Sequence, residues 1–599
     1  MALADNPSDL MNHDDLRELP ARRGFSVFYR GKTLLSRIDP VGQGERLAAE
    51  IPVRERTLYF CPSPIYGYGL SLFLTKLENE LQKKNSAILC VEADEKLFEI
   101  SRNALGKLSA DAFDERTGSL FCPAKKGNLR PLALTRVSDP ENLCVFVRET
   151  WGERVFRRVE VIRLTGGWQL FPGFYENLAE ALRREMAREW GNAMTLIRLG
   201  RLYTRNLIRN LAFLPESENI GALNFGSSPV LVLGAGPSLD PLLDEFSALA
   251  GESIPGPGQR PFRIICVDTC LPALHDRLIV PDLVVILESQ HWNLRDFSGA
   301  LDRKIDAAVD LSALPASTRV LGGKRFFFAT PWTELRLFRR LEEAGLLPET
   351  FDPLGSVGLS AVALALYVGS GPVFTGGIDF AYTLDAYHAR STAGYGDLER
   401  RQNRFRSIIG PAAFGERTFI VRSKTGTPVR SDPVMRNYRN LFEQEFAGNH
   451  RLSDIIGPGL PLGVKTVSPL EAFAVLNGDA AQSPLRPTAN DLSLSGRREK
   501  ITAFVRREID SLETIRDVLT GANPPEPERS AERSAGRPAE RLEELLDASD
   551  YLWAHFPDCA GAGGRRPQGT DLGFLKRVRA EIDPFLKLWK MTLTELLKN

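Results

Sequence analysis

The chain has 599 residues, enough for several domains with cores of their own, and its 76 Lys and Arg balance 76 Asp and Glu, which argues against a general nucleic-acid binder and leaves only local basic patches open. Seven scattered cysteines with no CxxC pair and no Cys/His cluster argue against a secreted disulfide framework and a structural zinc. The polar, acidic N-terminus has no apolar leader, and no apolar run reaches the ~18 residues of a membrane span, so the expectation is a cytoplasmic protein off the membrane.

Residues 1 to about 55 are polar and predict a disordered tip followed by a small β element at FSVFYR, Phe25 to Arg30. From Thr57 the pattern becomes α/β. LYFCPSPIYGYGLSLFLTKLENELQ reads as strand, glycine loop and helix, and SAILCVEADEKLFEIS as a strand ending at Glu92, then a helix. A glycine loop followed by an acidic strand end suits a nucleotide or S-adenosylmethionine. Here Pro62 and Pro64 interrupt the loop, so Gly67, Gly69 and Glu92 read either as ligand residues or as parts of a degenerate platform. The alternation in CVFVRE and RRVEVIRL predicts strands that finish an N-terminal α/β domain over residues 1–175. Leu178, Leu182, Met186, Leu196, Leu199, Leu207 and Leu211 then predict a helical connector over 176–215.

The region 216–465 carries the strongest local signal. VLVLGAGPSL, Val230 to Leu239, is an apolar strand running into a glycine turn and a helix start. Gly234 and Gly236 permit close approach of a ligand to the backbone, Pro237 suits the first turn of a helix, and Ser238 can face a ligand or cap the helix. Such a turn is an anion site or merely a tight turn. The third glycine of the dinucleotide fingerprint is absent, and the loop GESIPGPGQR stretches the distance to the next acidic strand end, both of which weaken an NAD reading. Three further strands are predicted to end at Asp268, at Glu288 with Gln290 beyond it, and before Asp379, which places these side chains where ligands lie in open α/β sheets. GSVGLS, with Ser356, begins an apolar helix, where Ser356 is either a second phosphate or carboxylate site or an ordinary cap. Beyond Pro461 the pattern is helical: one amphipathic stretch from Ile501 to Leu519, a Pro/Glu/Arg/Ser-rich loop at 523–541, a second helix from Leu542 to Phe556 and a third from Phe574 to Leu597. This C-terminal helical domain, 466–599, reads as a bundle closing on itself or as a docking surface for a protein.

GAGPSL, PDLVVILESQHWNLRDF, GSVG and GGIDFAYTLDAYHA, in that order over about Leu211 to Tyr438, resemble the motility accessory factor family, bacterial flagellin glycosyltransferases whose central domain is shared with a hydroxymethylpterin diphosphokinase. The resemblance implies an α/β fold with a Rossmann-like central domain similar to sialyltransferases, flanked by an N-terminal α/β domain and a C-terminal helical domain. It implies transfer of a nonulosonic acid of pseudaminic or legionaminic type from a CMP-sugar to Ser/Thr of flagellin, with the nucleotide sugar as co-substrate and no tightly bound cofactor. On that reading Gly234, Gly236, Pro237, Ser238, Asp268, Gln290, Ser356 and Tyr382 form the donor site, and His388 is the general base, with Asp379 and Glu288 as rival bases. No DxD triplet points to a metal. Arg422, Lys424, Arg430, Arg436 and Arg439 either pair with an acidic donor or form a solvated face. Two other activities remain open from the sequence: an ATP-dependent pterin diphosphokinase and a non-catalytic flagellin-binding assembly factor.

Overall fold

The structure, a computed structural model, describes residues 16–107, 113–114, 119–121, 130–152, 155–251, 254–301, 303–332, 335–383, 386–405, 407–408, 415, 417–478, 494–520, 538–560 and 571–598. The expected disordered tip at 1–15, most of the loop expected at 523–541 and Asp385 lie outside the described residues. The chain packs as two units, Met1–Arg198 with Phe556–Arg566, and Leu199–His555 with Pro567–Asn599.

In the first unit, β1 (Arg17–Pro20), β2 (Phe25–Tyr29) and β3 (Lys32–Thr33) form a small antiparallel sheet. A six-stranded sheet follows from β4 (Thr57–Pro62), β5 (Ala87–Val91), β6 (Phe113–Asp114), β7 (Ser119–Phe121), β8 (Leu132–Thr135) and β9 (Arg158–Val161), in the order β6-β7-β8-β5-β4-β9. Strands β8, β5, β4 and β9 run parallel. Alternate residues go to opposite faces, as a period of two requires: Tyr59, Cys61, Ile88 and Cys90 join one apolar cluster, and Leu58, Phe60, Leu89 and Val91 the other.

CVFVRE is not a strand. It lies in the helix Pro140–Trp151, whose N-cap Asp139 accepts from the Asn142 N–H and whose Leu143, Val147 and Trp151 are buried at four-residue steps. The cap, Pro140 at the first helical position and that spacing outweigh the local alternation.

The glycine loop of this unit serves packing. A β-carbon on Gly69 would lie 2.2 Å from the Gly44 carbonyl oxygen, because the loop presses on the helix Pro40–Glu50. Glu92 is fully buried, and one carboxylate oxygen accepts from Ser63 Oγ (3.1 Å), Ser101 Oγ (3.0 Å) and the Ile65 N–H (3.2 Å). Its carboxylate is thus engaged by the protein's own donors.

The second unit is built on a nine-stranded sheet, parallel throughout. Its strands are β10 (Glu218–Asn219), β11 (Val230–Leu233), β12 (Arg263–Val267), β13 (Leu283–Ile286), β14 (Asp306–Asp310), β15 (Arg325–Phe328), β16 (Val373–Gly376), β19 (Leu452–Ile455) and β20 (Lys465–Val467). The order is β10-β15-β14-β13-β12-β11-β16-β19-β20, while β17 (Phe419–Arg422) and β18 (Pro428–Ser431) form a separate hairpin. From β11 the chain builds outward on one side as far as β15, then returns to lay β16 on the other side of β11. That reversal opens a crevice at the carboxyl ends of β11 and β16, the place where doubly wound sheets bind ligands. This is a Rossmann-like α/β unit with flanking helices.

The C-terminal helices belong to this same unit. Helix Leu494–Thr520 packs on helix Leu572–Lys598 and on the turn Leu211–Glu216. The second predicted helix ends at Ala548, and Leu552, Trp553 and Phe556 fall outside it, Leu552 in a short 3-10 turn at Asp550–Leu552 and the other two beyond it. Pro584 lies inside the third helix, which continues past it. No helix among the described residues is long and apolar enough to cross a membrane, and none of the six cysteines among them is in a disulfide.

Candidate functional site

Two turns interlock at the reversal. The glycine turn after β11 meets the turn after β16 backbone to backbone: the Gly234 N–H donates to the Gly376 oxygen (2.8 Å) and the Gly236 N–H to the Gly377 oxygen (2.7 Å). A β-carbon on Gly234 would lie 2.5 Å from the Gly377 oxygen. Gly377 itself has φ +71°, and a β-carbon there would lie 2.3 Å from the Gly234 oxygen. The glycines are therefore required first by this contact.

The anion at the start of helix Leu239–Ala250 is the protein's own. Asp379 accepts from the Ser238 N–H (2.7 Å) and from Ser238 Oγ (2.6 Å). The dipole and the unsatisfied N–H groups that favour a phosphate at a helix start are met here by this carboxylate. Of the N–H groups expected to cradle a donor phosphate, those of Gly234, Gly236 and Ser238 are thus taken. Pro237 has none, and the Ala235 N–H is without a partner among the described residues. The backbone beyond Asp379 is held in an unusual conformation, with Phe380 at φ +49°. Bonds from the Leu460 N–H to the Asp379 oxygen (2.8 Å) and from Ser431 Oγ to the Phe380 oxygen (2.9 Å) secure it.

A cavity of about 210 Å³ lies over these turns. Its walls are Gly234 to Gly236, then Val267 at the end of β12 and Thr269 after it, Ser356 to Gly358 at the start of helix Val357–Val368, and Gly377 to Tyr382 after β16. Tyr387, His388, Met435 and Tyr438 close it. Ser356 does not cap its helix, for its hydroxyl makes no bond to the first N–H groups. The open helix start thus faces the cavity, preceded by Gly355 at φ +72°, where a β-carbon would lie 3.2 Å from the Tyr438 ring.

His388 is fixed by the glycine turn. Its Nδ1 lies 3.2 Å from the Ala235 carbonyl oxygen, and since a carbonyl only accepts, Nδ1 carries the proton. The neutral ring then has its lone pair on Nε2. Burial, and after it the positive charge of Arg295, lower the imidazole pKa, partly offset by the Ala235 bond, so the neutral base is favoured.

Of the residues expected from sequence, Gly234, Gly236, Ser356, Asp379, Tyr382 and His388 line this one cavity. Pro237 and Ser238 sit in the turn behind it. Tyr382 also donates its hydroxyl to Asp432, the cap of helix Pro433–Phe446. Asp268 is buried outside the lining. It accepts from the Thr269 N–H (2.8 Å) and Asn293 Nδ2 (2.7 Å), and burial together with Asp296 pushes its pKa up to about 7. Glu288 and Gln290 lie beyond β13 and outside the lining; exposed Glu288 accepts from the Gln290 N–H (2.8 Å).

The basic segment is largely engaged internally. Lys424 pairs with buried Asp454 (2.6 Å), Arg436 lies over Phe419, and Arg439 bonds Glu443 (2.6 Å) and the Pro461 oxygen (2.6 Å). Sequence reasoning missed Met435 and Tyr438 as wall residues. Met435 and Tyr438 stand three apart after the helix-start pair Asp432–Pro433, a spacing that places them on one helix face. Among the described residues no three His, Cys, Asp or Glu side chains gather as a metal site would need.

Comparison with known proteins gives three likenesses. Residues 205–385 match the family described as 6-hydroxymethylpterin diphosphokinase MptE-like, a stretch that runs from before β10 past β16 and includes both interlocked turns. An uncharacterized protein of Treponema pallidum (strain Nichols) is 29% identical, over 96% of this chain and 96% of its own. Among solved structures, a MAf glycosyltransferase from Magnetospirillum magneticum AMB-1 superposes with a TM-score of 0.52 over 98% of this chain and 92% of its own, at 12% identity. That identity speaks for the fold alone: both units of this chain are built on an architecture shared with a glycosyltransferase.

Proposed function

We propose that the second unit is a glycosyltransferase that moves a nonulosonic acid from a CMP-sugar to Ser or Thr of flagellin. The observation that carries this reading is the cavity at the sheet reversal, where a neutral histidine with Nε2 available stands across from an uncapped helix start. The two halves of the transfer need those two things. The helix start at Ser356–Gly358, with the Ser356 hydroxyl and the Ala235 N–H, holds the phosphate and stabilises the charge that develops on the leaving CMP. His388 Nε2 takes the proton from the acceptor hydroxyl as oxygen attacks the anomeric carbon and the bond to the phosphate oxygen breaks. Asp379, with both oxygens on Ser238, positions the two turns rather than acting as the base. Tyr382 and Tyr438 form the wall against which the sugar ring packs. The architecture shared with a MAf glycosyltransferase supports the reading, as does the resemblance of the sequence blocks.

The match of residues 205–385 to an MptE-like diphosphokinase favours a second reading, pyrophosphoryl transfer from ATP to a pterin at the same cavity. One experiment separates them. Purified protein is incubated with flagellin and CMP-activated nonulosonic acid, with and without excess EDTA, and flagellin mass is followed. The expected result is a mass gain of one sugar residue, largely retained in EDTA. No mass gain, together with AMP release from ATP and a hydroxymethylpterin, would overturn the transferase reading in favour of the kinase.

A further inference from the structure

The walls of the cavity continue outward into two elements that carry an unusual charge. Between residues 400 and 439 the sequence holds ten Lys or Arg and two Asp or Glu, in a chain balanced at 76 each. Lys424, Arg436 and Arg439 are engaged with Asp454, Phe419 and Glu443, and Arg400 pairs with Asp397. Arg401, Arg404, Arg417 and Arg422 are exposed and form no ion pair within 4 Å among the described residues, Arg401 adding only its field to the Arg400–Asp397 pair. Beside them stand two apolar side chains in solvent, Phe405 at 93% and Ile420 at 66% exposure.

Both carrier elements are fixed to the cavity. The hairpin β17–β18 is tied to Tyr382 by two backbone bonds, from the Tyr382 N–H to the Arg430 oxygen (2.7 Å) and from the Arg430 N–H to the Tyr382 oxygen (3.2 Å). The helix that follows it brings Met435 and Tyr438 into the lining. Helix Ala393–Arg401 starts against His388: a β-carbon on Gly394 would lie 3.2 Å from His388 Cδ2. Its other end, about 13 Å away at 1.5 Å per residue, delivers Arg401 and then Arg404 and Phe405.

We propose that this basic, apolar-tipped rim is the docking surface for the acceptor protein, which engages it through an acidic face with an apolar centre. The inference rests on the reading of the cavity as a protein glycosyltransferase site. Charge complementarity selects the occupant. Four exposed arginines in a neutral chain attract an acidic partner and speed its encounter. Phe405 and Ile420 want an apolar contact that a free nucleotide sugar, seated in a cavity of about 210 Å³, does not provide.

The test measures binding of labelled flagellin from the same genome to the full chain, at 50 and 300 mM salt. It is repeated with the charge-reversed R401E/R404E/R417E/R422E protein and with the milder R401Q/R404Q/R417Q/R422Q protein, and CMP binding is titrated alongside. The exposed positions leave both variants folded, which circular dichroism verifies. The parent is expected to bind about 10-fold more weakly at the higher salt. The reversed variant should lose on the order of 10-fold or more at low salt and most of its salt dependence, the glutamine variant an intermediate amount, and CMP affinity should not move. Equal flagellin binding by parent and variants overturns the docking surface while leaving the transferase reading standing. A parallel fall in CMP affinity assigns the rim to the donor and overturns it as well. Tighter, rim-dependent binding of a single-stranded oligonucleotide would make it a nucleic-acid surface. A parent that binds no flagellin removes both this inference and the function on which it rests.

Discussion

Two side chains show how burial sets proton affinity in opposite directions. His388 is held neutral by burial, so its base form persists to lower pH than that of a free imidazole. As base it should give kcat/KM an acid limb below the ordinary pKa of 6.5, flat above it. His388→Ala should lower transfer by about 10²–10⁴-fold and erase that limb, with donor affinity little changed. An intact limb in the variant would move the base elsewhere, to Asp379 in the cavity wall or to Glu288 outside it. Glu92 in the first unit is the opposite case. Burial pushes its pKa up to about 7, against the lowering effect of the Ile65, Ser101 and Ser63 bonds. The folded state thus binds a proton more tightly than the unfolded one. The first unit should lose stability as pH rises from the unfolded value of 4.5 to about 7 and hold level above. Glu92→Gln keeps the acceptor that Ser63, Ser101 and the Ile65 N–H use and removes the buried charge. It should raise stability above pH 7 by about 1–3 kcal/mol, less the weak Tyr175 bond at 3.5 Å, with the gain vanishing toward pH 4.5. Denaturant unfolding at pH 5 and pH 8.5 measures this, and a gain equal at both would rule the mechanism out.

The helix Leu239–Ala250 and its turn illustrate what an element owes to a distant segment. Asp379 is 141 positions from Ser238 yet supplies both of its bonds. Asp379→Ala should therefore destabilise the second unit by about 1–3 kcal/mol, the cost of a buried donor left without its acceptor plus the lost helix-start charge. Asp379→Asn, which keeps one acceptor oxygen for the Ser238 N–H, should cost less and leave activity within about 10-fold, well short of what loss of a general base costs. Thermal unfolding and transfer rates on both variants decide it; an inactive but fully stable Asp379→Asn protein would make Asp379 the base. Gly236→Val tests the same contact, since a β-carbon there meets Asp379 Oδ2 at 2.4 Å and so disturbs the fold before it reaches a ligand. The strand–turn–helix that starts at Val230, the strand running up to Asp268 and the strand before Asp379 were legible because each rests on local patterning. That Asp379 occupies the expected anion site was not legible, because it depends on which strand lies beside β11. CVFVRE misled for the converse reason: alternation over six residues was outweighed by a cap and by the buried stripe of a helix twice as long. The hairpin β17–β18 was hidden by its arginines, although Gly426 at φ +79° marks its turn.

At the scale of the molecule, the change in character after Pro461 suggests a separable tail, yet the C-terminal helices close over the second unit. A buried network ties them together. Arg340, in the helix Arg336–Glu343 that follows β15, bonds both oxygens of Glu508 at 2.9 Å, and Tyr551 Oη donates to Glu508 (3.3 Å). Trp589, fully buried, donates its indole N–H to Tyr551 Oη (3.2 Å). Asp550 accepts from the Arg336 N–H (2.7 Å), and Thr592 Oγ1 donates to the Ile208 oxygen (3.1 Å). Removing one partner of a buried ion pair leaves the other charge uncompensated, so Glu508→Ala should cost the second unit about 3–5 kcal/mol. Glu508→Gln, which keeps one acceptor oxygen, should cost less. Ending the chain near residue 490 removes Glu508, Asp550, Tyr551 and Trp589 at once and uncovers the apolar surface beneath Phe504, Leu512 and Ile515. That truncated chain should lose its cooperative unfolding transition and aggregate, and its CMP binding should vanish with the fold. Calorimetry on the full and shortened chains checks this. A shortened chain that melts as sharply as the parent and binds CMP equally well would make the helices an independent domain and reopen them as a place where a protein acceptor docks.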